Sequence, residues 1–195
     1  MPVRNPPINM ESLFSNRGVA YQLMINKKLQ SIPRLGFFSV TNLVGEWDQR
    51  QVDDYMTQGN LTFQIVKGLD IASGFHVTSV GGFRPTASLM YAYARPDFLL
   101  VLSPRADLME YGAIEGLALM EYKPKLNDEW RVYTRLQGLY AHTPKPDIHA
   151  RSYIMLSAGL SYKEFNFGVG SNFDWYGPMK MNKNSYGAFI SMQLF

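Results

Sequence analysis

At 195 residues the chain has room for one domain with a full core and not comfortably for two. It holds no cysteine, which excludes disulfides and thiolate-metal sites. The formal charge of +3 comes from scattered Lys and Arg, without the basic run or motif that nucleic-acid binding uses, so nucleic acid is not expected as a partner.

Met1 to Gly18 carry Pro2, Pro6 and Pro7 but no apolar core segment of a secretory signal, so an exported chain would have its signal outside this numbering. Residues 1–31 are set apart as an N-terminal segment, periplasmic, an internal plug or an extra strand, the last because Val19, Tyr21, Leu23 and Ile25 alternate. From residue 32 onward the signal is period two. Less tidy stretches lie at 34–47 and 97–107. Clear alternation runs through Leu61, Phe63 and Ile65; Ile71, Phe75 and Val77; Phe83, Leu89, Tyr91 and Tyr93; Ile114, Met120 and Tyr122; and Trp130, Val132, Leu136 and Tyr140. It continues through Ile154, Leu156 and Leu160; Phe165, Phe167, Phe173 and Trp175; and Tyr186, Ile190, Met192 and Leu194. That predicts an all-β, antiparallel up-and-down barrel over 32–195, of about ten strands within a range of about 8–12. Short connections are expected at 67–70, 94–97, 123–129 and 163–164, and longer ones near 48–55, 79–84, 105–112, 141–150 and 176–184, with the C-terminus on the short-turn, periplasmic side.

The barrel is expected to cross a membrane. Aromatic residues make up 14% of the chain, yet the longest uninterrupted apolar run is only Phe98 to Leu102. A spanning helix needs about 20 apolar residues, whereas a spanning strand needs about 9–11 and only every second one apolar. The apolar faces end repeatedly in Tyr or Trp (Tyr91, Tyr122, Trp130, Tyr140, Tyr162, Trp175), as interfacial girdles do. The opposite faces mix Gly, Ser and Asn with charges of both signs. A soluble barrel with an apolar interior is the alternative.

Phe195 ends a final amphipathic strand, which resembles the signal read by the barrel-assembly machinery; Gln193 departs from it where a second large apolar residue is usual. Leu35-Gly36-Phe37-Phe38-Ser39-Val40-Thr41, Gly82-Phe83-Arg84-Pro85-Thr86-Ala87 and Asn172-Phe173-Asp174-Trp175-Tyr176-Gly177-Pro178 resemble stretches of small outer-membrane barrel proteins of Bacteroidota. The resemblance implies location and fold and carries no activity with it. Outer-membrane lipids, including lipopolysaccharide, and other envelope proteins are then the expected partners.

Glu115, Glu121, Arg131, Arg135 and Tyr133 fall on presumed lumen faces of adjacent strands, and so does His76. Antiparallel pairing about 123–129 would set Glu121 by Arg131 and Glu115 nearer Arg135, charges that hold each other in a filled interior. His142, His149 and Asp147 share a loop but lack metal-ligand spacing. His149 and Ser152 are close in sequence but point to opposite faces of a regular strand, so a hydrolase is not expected. No cofactor site is legible. The favoured reading is a structural or accessory outer-membrane barrel, one subunit of a larger envelope assembly. A narrow transport channel is the alternative, and a lipid-modifying enzyme the second.

Overall fold

The computed structural model describes residues 5–48 and 54–195, so most of the expected 48–55 loop lies outside the described residues. The strands are β1 (Ile8–Ser15), β2 (Gly18–Lys28), β3 (Leu35–Glu46), β4 (Asp54–Val66), β5 (Leu69–Thr78), β6 (Gly82–Ala94) and β7 (Phe98–Asp107). They continue as β8 (Ile114–Tyr122), β9 (Trp130–Thr143), β10 (Ile148–Tyr162), β11 (Phe165–Tyr176), the two-residue β12 (Met181–Asn182) and β13 (Ser185–Leu194). Each long strand pairs antiparallel with the next, and β13 closes on β1 through Ile8↔Leu194 to Ser15↔Gly187. With β12 only a short extension of β11, the result is a closed twelve-stranded up-and-down barrel.

The expectation of about ten strands fell short at the N-terminus. Residues 8–28, set apart on sequence grounds as a periplasmic segment, an internal plug or an extra strand, form both β1 and β2 in its wall. The alternation of β1 is spoiled on both faces, because Leu13 points into the lumen and Ser12 points outward. The contrast in loop length is also weaker than expected. Strand β9 runs on to Thr143 and β7 to Asp107, and the ladders use up much of the loops placed at 141–150 and 105–112. The rim that carries the C-terminus, with the turns 67–68 and 163–164, is called the terminal rim; the other, with 144–147 and 177–184, the far rim.

The two faces differ as a membrane barrel requires and a lipocalin does not. On β9, Tyr133, Arg135 and Gln137 are buried inside, while Leu136 and Tyr140 outside are 41% and 55% exposed. The exposed outer face includes Phe37, Leu61, Phe63, Ile71, Leu89, Ile154 and Ile190, an apolar band far larger than a water-facing surface carries. Aromatic rings gather at both rims. Trp130 packs on Tyr162 at 4.8 Å at the terminal rim, and Phe75 on Phe83 at 5.7 Å at the far rim.

The backbones of β10 and β11 approach closely where Gly159 pairs with Gly168. A Cβ at Gly159 would sit 2.0 Å from the Phe167 carbonyl oxygen, and one at Gly168 2.2 Å from that of Ala158. Either Gly→Ala change forces the strands apart and should cost about 1–3 kcal/mol in urea unfolding. Gly138→Ala, whose nearest neighbour is the Tyr153 carbonyl at 3.8 Å, should be close to neutral.

Candidate functional site

The site is the lumen, narrowest at a neck where side chains meet from opposite walls. Arg135 on β9 reaches past its own neighbours to Glu11 on β1 at 3.2 Å and to Gln22 on β2 at 2.6 Å. It also bonds Gln137, which donates to the Tyr153 hydroxyl at 2.7 Å. Beneath it Tyr133, with no exposed surface, packs against Leu13 and Phe189 and directs its hydroxyl to Glu121 at 3.4 Å and Glu11 at 3.5 Å. Lys123 sits over the Tyr133 ring at 4.8 Å and pairs with Glu121 at 3.0 Å.

A second network lines the wall from β4 to β8. Arg105 bonds Gln58 at 2.9 Å and Glu115 at 2.8 Å, and Arg84 bonds Asp107 at 3.0 Å. A third closes over the far rim. Arg151 on β10 holds Asp174, and the Tyr176 hydroxyl donates to Asp54, which lies on the opposite side of the barrel. At the terminal rim the lumen widens into a vestibule of about 640 Å³ bordered by Asp97, Glu121, Lys123 and Arg131.

The residues proposed from sequence therefore divide. Glu121, Tyr133 and Arg135 meet at the neck, with Glu121 opposite Arg135 in the ladder rather than opposite Arg131. Glu115 lies opposite Ala141 and pairs with Arg105, and His76 joins that second network with Nδ1 4.0 Å from Asp107. Arg131 stands apart at the vestibule and donates to the Pro96 carbonyl at 3.3 Å. The offset arises in the 123–129 connection. Pro124 has no N–H to continue the ladder; the segment turns back on itself, with Lys125 bridging Arg131 and the Asn127 side chain accepting from the N–H groups of Glu129 and Trp130. Phe195 lies just beyond β13 and is 89% exposed.

The loop histidines are arranged differently from expectation. The nitrogens of His149 are both engaged, Nδ1 with the Gly177 carbonyl at 2.8 Å and Nε2 with Ser152 Oγ at 2.9 Å, which leaves none to ligate a metal beside His142 and Asp147. His149 and Ser152 do not part to opposite faces, because β10 is irregular between His149 and Arg151. The extra residue of such a bulge reverses the alternation, so both side chains face outward.

Sequence reasoning missed Glu11, Gln22, Arg105, Asp54 and Arg151. Arg151 and Asp174 carried a usable signal, since both stood on the polar side of well-formed alternations. Glu11 and Gln22 carried less, because β1 has no regular alternation and a strand over 19–25 was only one of three readings of the N-terminal segment.

No protein-family model matches the chain, and no curated protein is similar to it in sequence. Among solved structures it is similar to the NanC porin, with a TM-score of 0.53 at 12% identity over 96% of this chain and 100% of that one. It is likewise similar to the KdgM porin, with a TM-score of 0.52 at 14% identity over 96% and 99%. The KdgM porin in complex with disordered oligogalacturonate gives the same values. At such identities the likeness is one of fold, and the chain has the small outer-membrane porin fold.

Proposed function

We propose that the protein is a narrow channel of the bacterial outer membrane for small hydrophilic solutes, rather than a sealed structural subunit. One observation carries this. Among the described residues, buried side-chain atoms without a hydrogen-bond partner occur on Asn9, Asp70, His76, Arg105, Asp107, Arg135 and Asn172, and all seven face the lumen. Unpaired buried polar groups are costly in a dry packed core. They fit an interior that admits water, as porin-like barrels do. The bands of exposed apolar and aromatic residues support placement in lipid, lipopolysaccharide included, with Phe195 as part of the signal for the barrel-assembly machinery.

Among the described residues six lumen cations each pair with a carboxylate: Lys28 with Asp70, Arg84 with Asp107, Arg105 with Glu115, Lys123 with Glu121, Arg135 with Glu11 and Arg151 with Asp174; Arg131 and Asp54 add one further charge of each sign. A balanced lining selects by size more than by charge. Proteoliposomes holding the protein should swell in small neutral sugars and little in larger ones, and should show a reversal potential near zero in a salt gradient. Glu11→Gln, which leaves Arg135 uncompensated, should shift that potential toward anions. Vesicles that swell in no solute would return the function to a structural role.

A further inference from the structure

The geometry points to a second activity on the outer wall, in which Ser152 and His149 form a nucleophile–base pair that hydrolyses the acyl ester of a membrane lipid. It takes its membrane placement from the channel reading and nothing from conductance.

Three observations converge. The first is the pair itself. Nδ1 of His149 lies 2.8 Å from the Gly177 carbonyl, an acceptor only, so Nδ1 carries the proton and Nε2 has a free lone pair. Ser152 Oγ, at 2.9 Å, donates to that nitrogen. This is the tautomer a general base needs, with a carbonyl where hydrolases often place a carboxylate. The second is how the pair is held. Gly177 has φ +68, and its N–H bonds the carbonyl of Ala150 at 2.9 Å, so one residue fixes both the irregular stretch of β10 and the imidazole. His149 is buried and Ser152 partly exposed.

The third is a place for the substrate. Ser152 lines a groove of about 500 Å³ in the apolar outer wall, together with Gly116, Ala118, Gly138, Tyr140, Ile154 and Trp175. A Cβ would meet nothing within 4 Å at Gly116 and only the Tyr153 carbonyl, at 3.8 Å, at Gly138. The groove thus exists because these positions have no side chains. Its largely apolar lining suits an acyl chain. Tyr140 and Trp175 pair with Ser152 from the neighbouring strands, and among the described residues their hydroxyl and indole N–H bond to no protein group. Both groups are therefore free to donate to an oxyanion that forms at Ser152. Aromatic residues at this rim mark the level of a bilayer interface, where ester linkages lie.

In the reaction Ser152 Oγ attacks the ester carbonyl carbon as its proton passes to His149 Nε2. The tetrahedral oxyanion collapses, the C–O bond to the alcohol breaks, and the departing oxygen takes the proton from Nε2. Water then attacks the acyl-serine, giving a proton to Nε2 and releasing the fatty acid as Ser152 Oγ recovers its proton. One ester and one water yield one alcohol and one fatty acid.

The purified protein in mixed micelles is treated with a fluorophosphonate, and separately with acyl-labelled phosphatidylethanolamine and with acyl-labelled lipopolysaccharide. Expected are labelling at Ser152 and release of labelled fatty acid from one of the two lipids, which identifies the source. Ser152→Ala should lose both signals, and His149→Asn should slow release by about 10²–10⁴-fold. Gly138→Phe, which fills the groove, should raise KM for the long-chain lipid. Heat-modifiable migration on gels checks that each variant folds. No labelling and no release from either lipid by the folded wild type overturns the inference. A barrel that conducts without hydrolysing overturns this inference alone.

Discussion

Arg135→Ala should lower the stability of the barrel by about 3–5 kcal/mol in urea unfolding from lipid or detergent. Arg135 is 4% exposed and is shared by Glu11, Gln22 and Gln137. Removing it leaves the Glu11 carboxylate at the neck without its counter-charge, and deletes the link between β9 and the wall across the lumen. The double variant Glu11→Ala/Arg135→Ala should recover part of the loss, since no charge is then stranded. Arg131→Ala, at the vestibule, should cost about 0–1 kcal/mol. Equal effects at 131 and 135 would mean that the neck is wide and screened throughout.

Arginine on the outer wall at Leu136 or Leu156 should cost about 2–4 kcal/mol in lipid, falling toward the rims. The two leucines face each other across β9 and β10, are 41% and 42% exposed, and stand near the middle of their strands. In hydrocarbon the guanidinium has no partner there. Ser157→Glu, one residue away on the lumen face, should be milder, because the new carboxylate stands opposite Arg135. A milder effect at Leu156 than at Ser157 would put water outside and the apolar phase inside.

Most of this wall was legible in the sequence, because a lipid-facing strand must be apolar at every second position and β9, β10 and β11 follow that rule over most of their length. Strand β7 was less tidy for a physical reason: Leu99 and Val101 face the lumen, so both of its faces are apolar over that stretch. Which strands exist is a local property, but which lumen charges meet is set by stagger and closure. Nothing near Arg135 in sequence identifies Glu11, 124 residues away, as its partner. The meeting of His149 and Ser152 was hidden for the opposite reason, since a single irregularity in β10 overrides a periodicity that holds over the rest of the strand.

Single-channel recording in a planar bilayer tests the central claim most directly. The wild-type barrel should give small discrete conductance steps, and Arg135→Ala, with the neck opened between β9 and β1, should give steps several-fold larger. A correctly folded barrel that stays silent in both forms would contradict the account, and the lumen would then be a sealed interior rather than a path.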